Sequence, residues 1–260
     1  MHRILMAALG LSLIASGAFA SPIAPSHSAI PSERNLLRVS DTEGSYGAAD
    51  DDTDFLFRLG MLEGHLMVGH DLLKAGKPAL ALPHFGHPVR ELYADISDYL
   101  EKHHSPAFDG QLIKLEAAVT TAPDAPETDA LYQSTIASVH KAREIVPAQL
   151  RASVPEMIKV CADTVDAAAG EYGEALEHGR IETIVEYHDS RGYLSYVAQE
   201  LQHLMDTHKD ASDQALLTRF KVVLAKAQYI VAPLLPGPVP RGSVGEYRAV
   251  AEQAVDIAKK

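Results

Sequence analysis

The chain has 260 residues, with 23 Lys and Arg against 35 Asp and Glu and a formal net charge of −12 at pH 7. An acidic balance argues against nucleic acid and anionic lipid as partners, because both need a basic surface. Cys161 is the single cysteine, so no internal disulfide can form and a buried core must hold the fold.

The N-terminus shows the three parts of a bacterial-type export signal. His2 and Arg3 give a short basic start, Ile4 to Ile14 is apolar except for Gly10 and Ser12, and Ala18-Phe19-Ala20 is a small-x-small cleavage site before Ser21. The apolar run is short of the about 20 residues a membrane-spanning helix needs. No cysteine follows the cleavage point, which argues against a lipoprotein anchor. Residues 1–20 therefore read as a signal peptide cleaved after Ala20, and the mature protein as periplasmic or secreted.

Residues 21–50 are rich in Ser, Pro, Ala and Asp without periodicity and read as a flexible leader. Asp50, Asp51, Asp52 and Asp54 close it. They fail as a calcium loop, since Phe55 stands where the loop needs glycine and Met61 where it needs a bidentate acid. Acidic side chains suit instead the positive N-terminal end of the next helix.

From Asp54 onward apolar residues recur at helical spacing, as in Leu59, Leu62, Leu66 and Leu73. Gly76-Lys77-Pro78 breaks this first helix. A short segment from Ala79 to Phe85 leads to His87-Pro88, where Pro88 fits as the first residue of a helix running to Lys102. Further helices are predicted over 107–120, 128–148, 154–177, 181–208, 211–231 and 243–258, with stops at Pro123, Pro126, Pro147, Gly179 and the Pro233–Pro240 loop. No alternating strand pattern stands out. The predicted fold is all-α, an antiparallel helical bundle over 51–260. A shift of 104 residues sets His84 on His188, Leu100 on Leu204 and His104 on His208, which suggests two similar halves, 51–122 and 127–260; chance matches between amphipathic hairpins are the plainer explanation.

Two groups of residues could carry chemistry. The first contains Glu63, His65, His84, His87 and Glu91, the imidazole and carboxylate donors that zinc, iron and copper accept. If the chain folds back antiparallel around Gly76, His65 comes opposite His87, and Glu91 shares a helix face with His87. A three-ligand site of His65, His87 and Glu91 follows, with His84 or Glu63 as a fourth ligand. The competing explanation is a set of helix-capping and half-buried histidines. Gly64 and Gly69 each cost about 1 kcal/mol against alanine inside a helix, a cost tolerated where another helix or a ligand approaches closely.

The second group contains Glu171, Tyr172, His188 and Asp189. A hairpin at Gly179 would set Glu171 near His188, and a carboxylate there would raise the histidine's pKa and prepare it for acid–base work. No nucleophile with a matching base accompanies the pair. Cys161, within an apolar helical pattern, reads as a buried small hydrophobe. The leading expectation is an exported helical protein that binds a transition metal or a metal-linked small ligand. Its rivals are a non-catalytic scaffold that binds an envelope protein, and a hydrolase-type enzyme using a His/Glu pair.

Overall fold

The computed structural model describes Ala49 and residues 51–259. The expected signal peptide and nearly all of the expected leader lie outside the described residues. Those described form an all-α bundle: α1 (Asp52–Lys74), α2 (Pro78–His87), a π-helical turn (Pro88–Leu92), α3 (Tyr93–Lys102), α4 (Asp109–Thr121), α5 (Pro126–Arg143), the single turn α6 (Ala148–Arg151), α7 (Val154–Ala175), α8 (Ile184–Thr207), α9 (Ala211–Ile230) and α10 (Val244–Ala258). No described helix is long and apolar enough to cross a membrane.

The helix starts follow from their caps. The Asp51 carboxylate accepts hydrogen bonds from the Thr53 and Asp54 amides, so the acidic cluster opens α1 as its charge requires. Ser243 and Glu246 form a reciprocal capping box at α10. Pro78 and Pro126 occupy first-turn positions, where a missing amide proton costs nothing. At Gly179 (φ +73°) and His178 (φ 52°) the chain reverses in a two-residue hairpin turn. It leaves a two-residue antiparallel ladder, Leu176–Glu177 against Arg180–Ile181, that the helical pattern of 181–208 did not indicate.

Two other boundaries differ from the sequence reading. Residues 78–87 are themselves helical, and the chain continues through Pro88 without breaking. Pro88 has no N–H to give the preceding turn, and the backbone widens so that the Tyr93 amide bonds the Pro88 carbonyl five residues back. The helix predicted over 128–148 ends at Arg143, because Pro147 cannot continue it.

Helix α1 is the core's centre. Its buried residues, Phe55, Leu56, Leu59, Met61, Leu62, Leu66, Val68 and Leu72 among them, lie on every side of the helix rather than on one stripe. It packs against α2, α5, α7 and α8. Each such leucine contributes about 1.5–3 kcal/mol by leaving water. A helix enclosed on all sides must bury its polar residues too, and this gives Arg58, Glu63, His65 and His70 their buried settings.

Candidate metal centre

The centre is built where α1 crosses α8 at two glycines. A Cβ on Gly192 would stand 2.3 Å from the Gly64 carbonyl oxygen, and one on Gly64 would stand 3.0 Å from the Gly192 backbone. Only residues without a side chain let two helical backbones approach so closely. His65 follows Gly64, and Asp189 lies one turn before Gly192, so the crossing fixes both side chains relative to each other. On the other side α2 folds back along α1, with the Phe85 ring against Gly69 at 2.8 Å from where its Cβ would be. His84 and His87, three residues apart on α2, share the face turned to this junction.

Around the junction, one donor atom each from His65, His87 and Asp189 lie within 4.8 Å of one another. His65 Nε2 is 3.4 Å from Asp189 Oδ1, and His87 Nδ1 is 3.8 Å from Asp189 Oδ2. His84 Nδ1 donates to Asp189 Oδ1 at 2.7 Å. His65 Nδ1 donates to the Met61 carbonyl at 3.0 Å, which turns its Nε2 toward the carboxylate. His188 stands next to His84, ring centroids 5.4 Å apart, and its Nε2 donates to the Leu234 carbonyl at 2.9 Å. His65, His84, His188 and Asp189 are fully buried and His87 is 3% exposed.

The chain segment after α9 is strapped to this region by α8. Arg191 donates to the Val231 and Ala232 carbonyls, Tyr187 to Pro233 and His188 to Leu234. Burial lowers the pKa of His188 to about 3, with His84 adding to the effect and Asp189 opposing it. The rise expected from Glu171 beside His188 is not seen: Glu171 is not among the groups that shift it, and loss of water outweighs the opposing Asp189. A neutral buried imidazole with its outer nitrogen tied to a carbonyl suits ligation better than proton transfer.

The two sequence groups thus share one place. His65, His84 and His87 from the first meet His188 and Asp189 from the second. Glu63, two residues from His65, points to another face of α1, where Glu63 Oε1 accepts from His140 Nε2 at 2.9 Å and Gln199 Nε2 at 3.0 Å. Glu91 sits in the π-helical turn, outside the three-donor group. Tyr172 donates to the Gly242 carbonyl at 2.6 Å and belongs with Tyr187 and Tyr247 in an aromatic cluster. Glu171 is buried on α7 outside the group. The carboxylate missed as a partner for His65 and His87 was Asp189, which is 105 residues from His84. The pair of helical glycines, Gly64 and Gly192, was the one sequence signal that α1 and α8 touch there.

Two His and one carboxylate on three separate elements, in a dry setting, form a ligand set that first-row transition metals accept, iron(II) among them. Metal–nitrogen and metal–oxygen bonds are about 2.0–2.2 Å long, so donors within 4.8 Å of one another close on an ion by small side-chain rotations. Residues 147–232, spanning α6 to α9, match the family described as the iron permease-associated 4-helix bundle domain. The match contains His188 and Asp189 and excludes His65, His84 and His87. At the significance required, no curated protein and no solved structure matches the chain.

Proposed function

We propose that this chain is an exported, periplasmic helical protein that binds a transition-metal ion, iron first, through His65, His87 and Asp189. The observation that carries the reading is the convergence of these three buried donors within 4.8 Å. Burying a carboxylate and four imidazoles together is costly unless something compensates them, and a bound cation does so. The similarity of residues 147–232 to an iron permease-associated domain supports iron as the ion and a role beside membrane iron transport. The export signal supports the compartment.

The ion is cargo in this reading. The enclosed site, with His65, His84, His188 and Asp189 fully buried, favours retention and handover over turnover. The residues divide the work. His65 is held by Met61 and presents Nε2, Asp189 supplies the negative charge, and His87 closes the set from α2. The test is metal analysis of untagged protein purified from the periplasm, with N-terminal sequencing of the same sample. One equivalent of metal in wild type, lost in His65→Ala and His87→Ala, and a mature start at Ser21 are expected. Wild type without metal after exposure to ferrous and zinc salts would overturn the reading.

A further inference from the structure

We propose that His84 and His188 form a second ion position beside the first, a two-imidazole site suited to a cuprous ion. It goes beyond the three-donor reading and shares with it only Asp189, here an outer partner rather than a ligand.

The inference starts from which nitrogens are already used. His84 Nδ1–H donates to Asp189 Oδ1, and His188 Nε2–H donates to the Leu234 carbonyl. The ring nitrogens left over are Nε2 on His84 and Nδ1 on His188. Both atoms are buried and take no hydrogen bond among the described residues. Both rings are fully buried, and they stand edge to face with centroids 5.4 Å apart. Buried polar atoms are as a rule satisfied, so two such nitrogens on neighbouring rings call for an electrophile.

The outer hydrogen bonds have the pattern seen around metal-bound histidine, whose second nitrogen donates to a carboxylate or a backbone carbonyl. His84 uses the carboxylate and His188 the carbonyl. The two partners come from two segments, α8 and the strap after α9, so each ring is held from a different direction. A single histidine satisfied by chance would not show this.

Charge selects the ion. The pair itself contributes no anion, and Asp189 is the carboxylate already committed to the neighbouring donors. The desolvation cost of an ion in a buried pocket rises steeply with its charge. A divalent ion placed here beside an occupied first position would concentrate positive charge around one carboxylate. A monovalent cation avoids most of that cost, and imidazole nitrogen is a good ligand for copper. Two imidazoles meet the low coordination number that cuprous ion accepts.

The test separates the two positions. Cuprous ion is titrated anaerobically against a chromophoric chelator, using the full mature chain. A His65→Ala/His87→Ala double variant should keep one cuprous equivalent, and adding His188→Phe should remove it. In the otherwise native chain, His188→Phe should lower the cuprous stoichiometry by one, so the test stands even if the double variant does not fold. Circular dichroism checks folding in each case. X-ray absorption of the cuprous double variant should show two nitrogen ligands. A folded double variant without cuprous affinity, as expected if a water fills the pair, would overturn the proposal, as would equal stoichiometry with and without His188. Failure of the three-donor reading looks different: ferrous and zinc loading would be absent while the cuprous equivalent persisted.

Discussion

Replacing Gly192 by alanine strikes the point that joins packing to ligand geometry. The new methyl would stand 2.3 Å from the Gly64 carbonyl oxygen, 2.9 Å from its carbon and 3.0 Å from Val68 Cγ1. Two of these atoms are main chain and cannot rotate away, so α1 and α8 must separate by on the order of 1 Å to regain ordinary contact. Overpacking of this kind costs about 1–3 kcal/mol, and a rigid backbone obstacle places it in the upper half of that range. Alanine returns about 1 kcal/mol of helix propensity, leaving a net loss of about 1–2 kcal/mol. For a chain of this size each kcal/mol moves Tm by about 2–4 °C, so a fall of about 2–8 °C is expected. Gly173 on α7 supplies the control. Its Cβ would meet only Val244 Cγ1, at 3.7 Å, and Gly173→Ala should stabilise by about 1 kcal/mol. Thermal and urea melts of the two variants beside wild type test the contrast. Because His65 and Asp189 are carried by the same crossing, Gly192→Ala should also weaken metal binding, which Gly173→Ala should not. Equal melting of the two alanine variants would refute the close crossing and the site built on it.

Arg58 is buried and donates to Asp54 and, at 3.1 Å, to Asp95 on α3. Asp95→Ala strands part of a buried charge and should cost about 3–5 kcal/mol in a denaturant melt; a loss below about 1 kcal/mol, the value of a surface pair, would contradict this. His140 has its pKa raised above 6.5 chiefly by the hydrogen bond to Glu63. The protonated ring's contribution is complete below pH 6.5 and is lost as pH rises through the higher folded value. Melts across that range should show His140→Gln removing part of the pH slope, and an unchanged slope would count against the pairing. Burial pushes the Cys161 thiol well above its usual pKa, so a thiol reagent should label it only after unfolding, and rapid labelling of native protein would deny its burial.

Helix content and most helix boundaries were readable from apolar spacing, proline and glycine alone. The exceptions have local causes. The π-helical turn after His87 comes from a proline that the helix accommodates rather than obeys, and the small ladder at 176–181 comes from a hairpin turn too short to leave a strand pattern. Half of the candidate site was also readable. His65 and His87 come together because Gly76 reverses the chain between them, a relation set by short-range spacing. Asp189 reaches them through a helix crossing more than a hundred residues away, and no periodicity within α8 announces its partner. Glu63 and Glu91 show the converse. They have the right chemistry, but the first bonds His140 and Gln199 on another face of α1 and the second sits within the widened turn.

The central claim is that Asp189, rather than a nearer glutamate in the sequence, completes the site with His65 and His87. Ferrous binding by untagged protein, measured by anaerobic competition titration for wild type, Asp189→Asn, Glu63→Gln and Glu91→Gln, tests it most directly. Asp189→Asn should weaken binding by more than the about 10–100-fold typical of losing an outer partner, with Glu63→Gln and Glu91→Gln close to wild type. Undiminished binding in Asp189→Asn, or a larger loss in Glu91→Gln, would contradict the account.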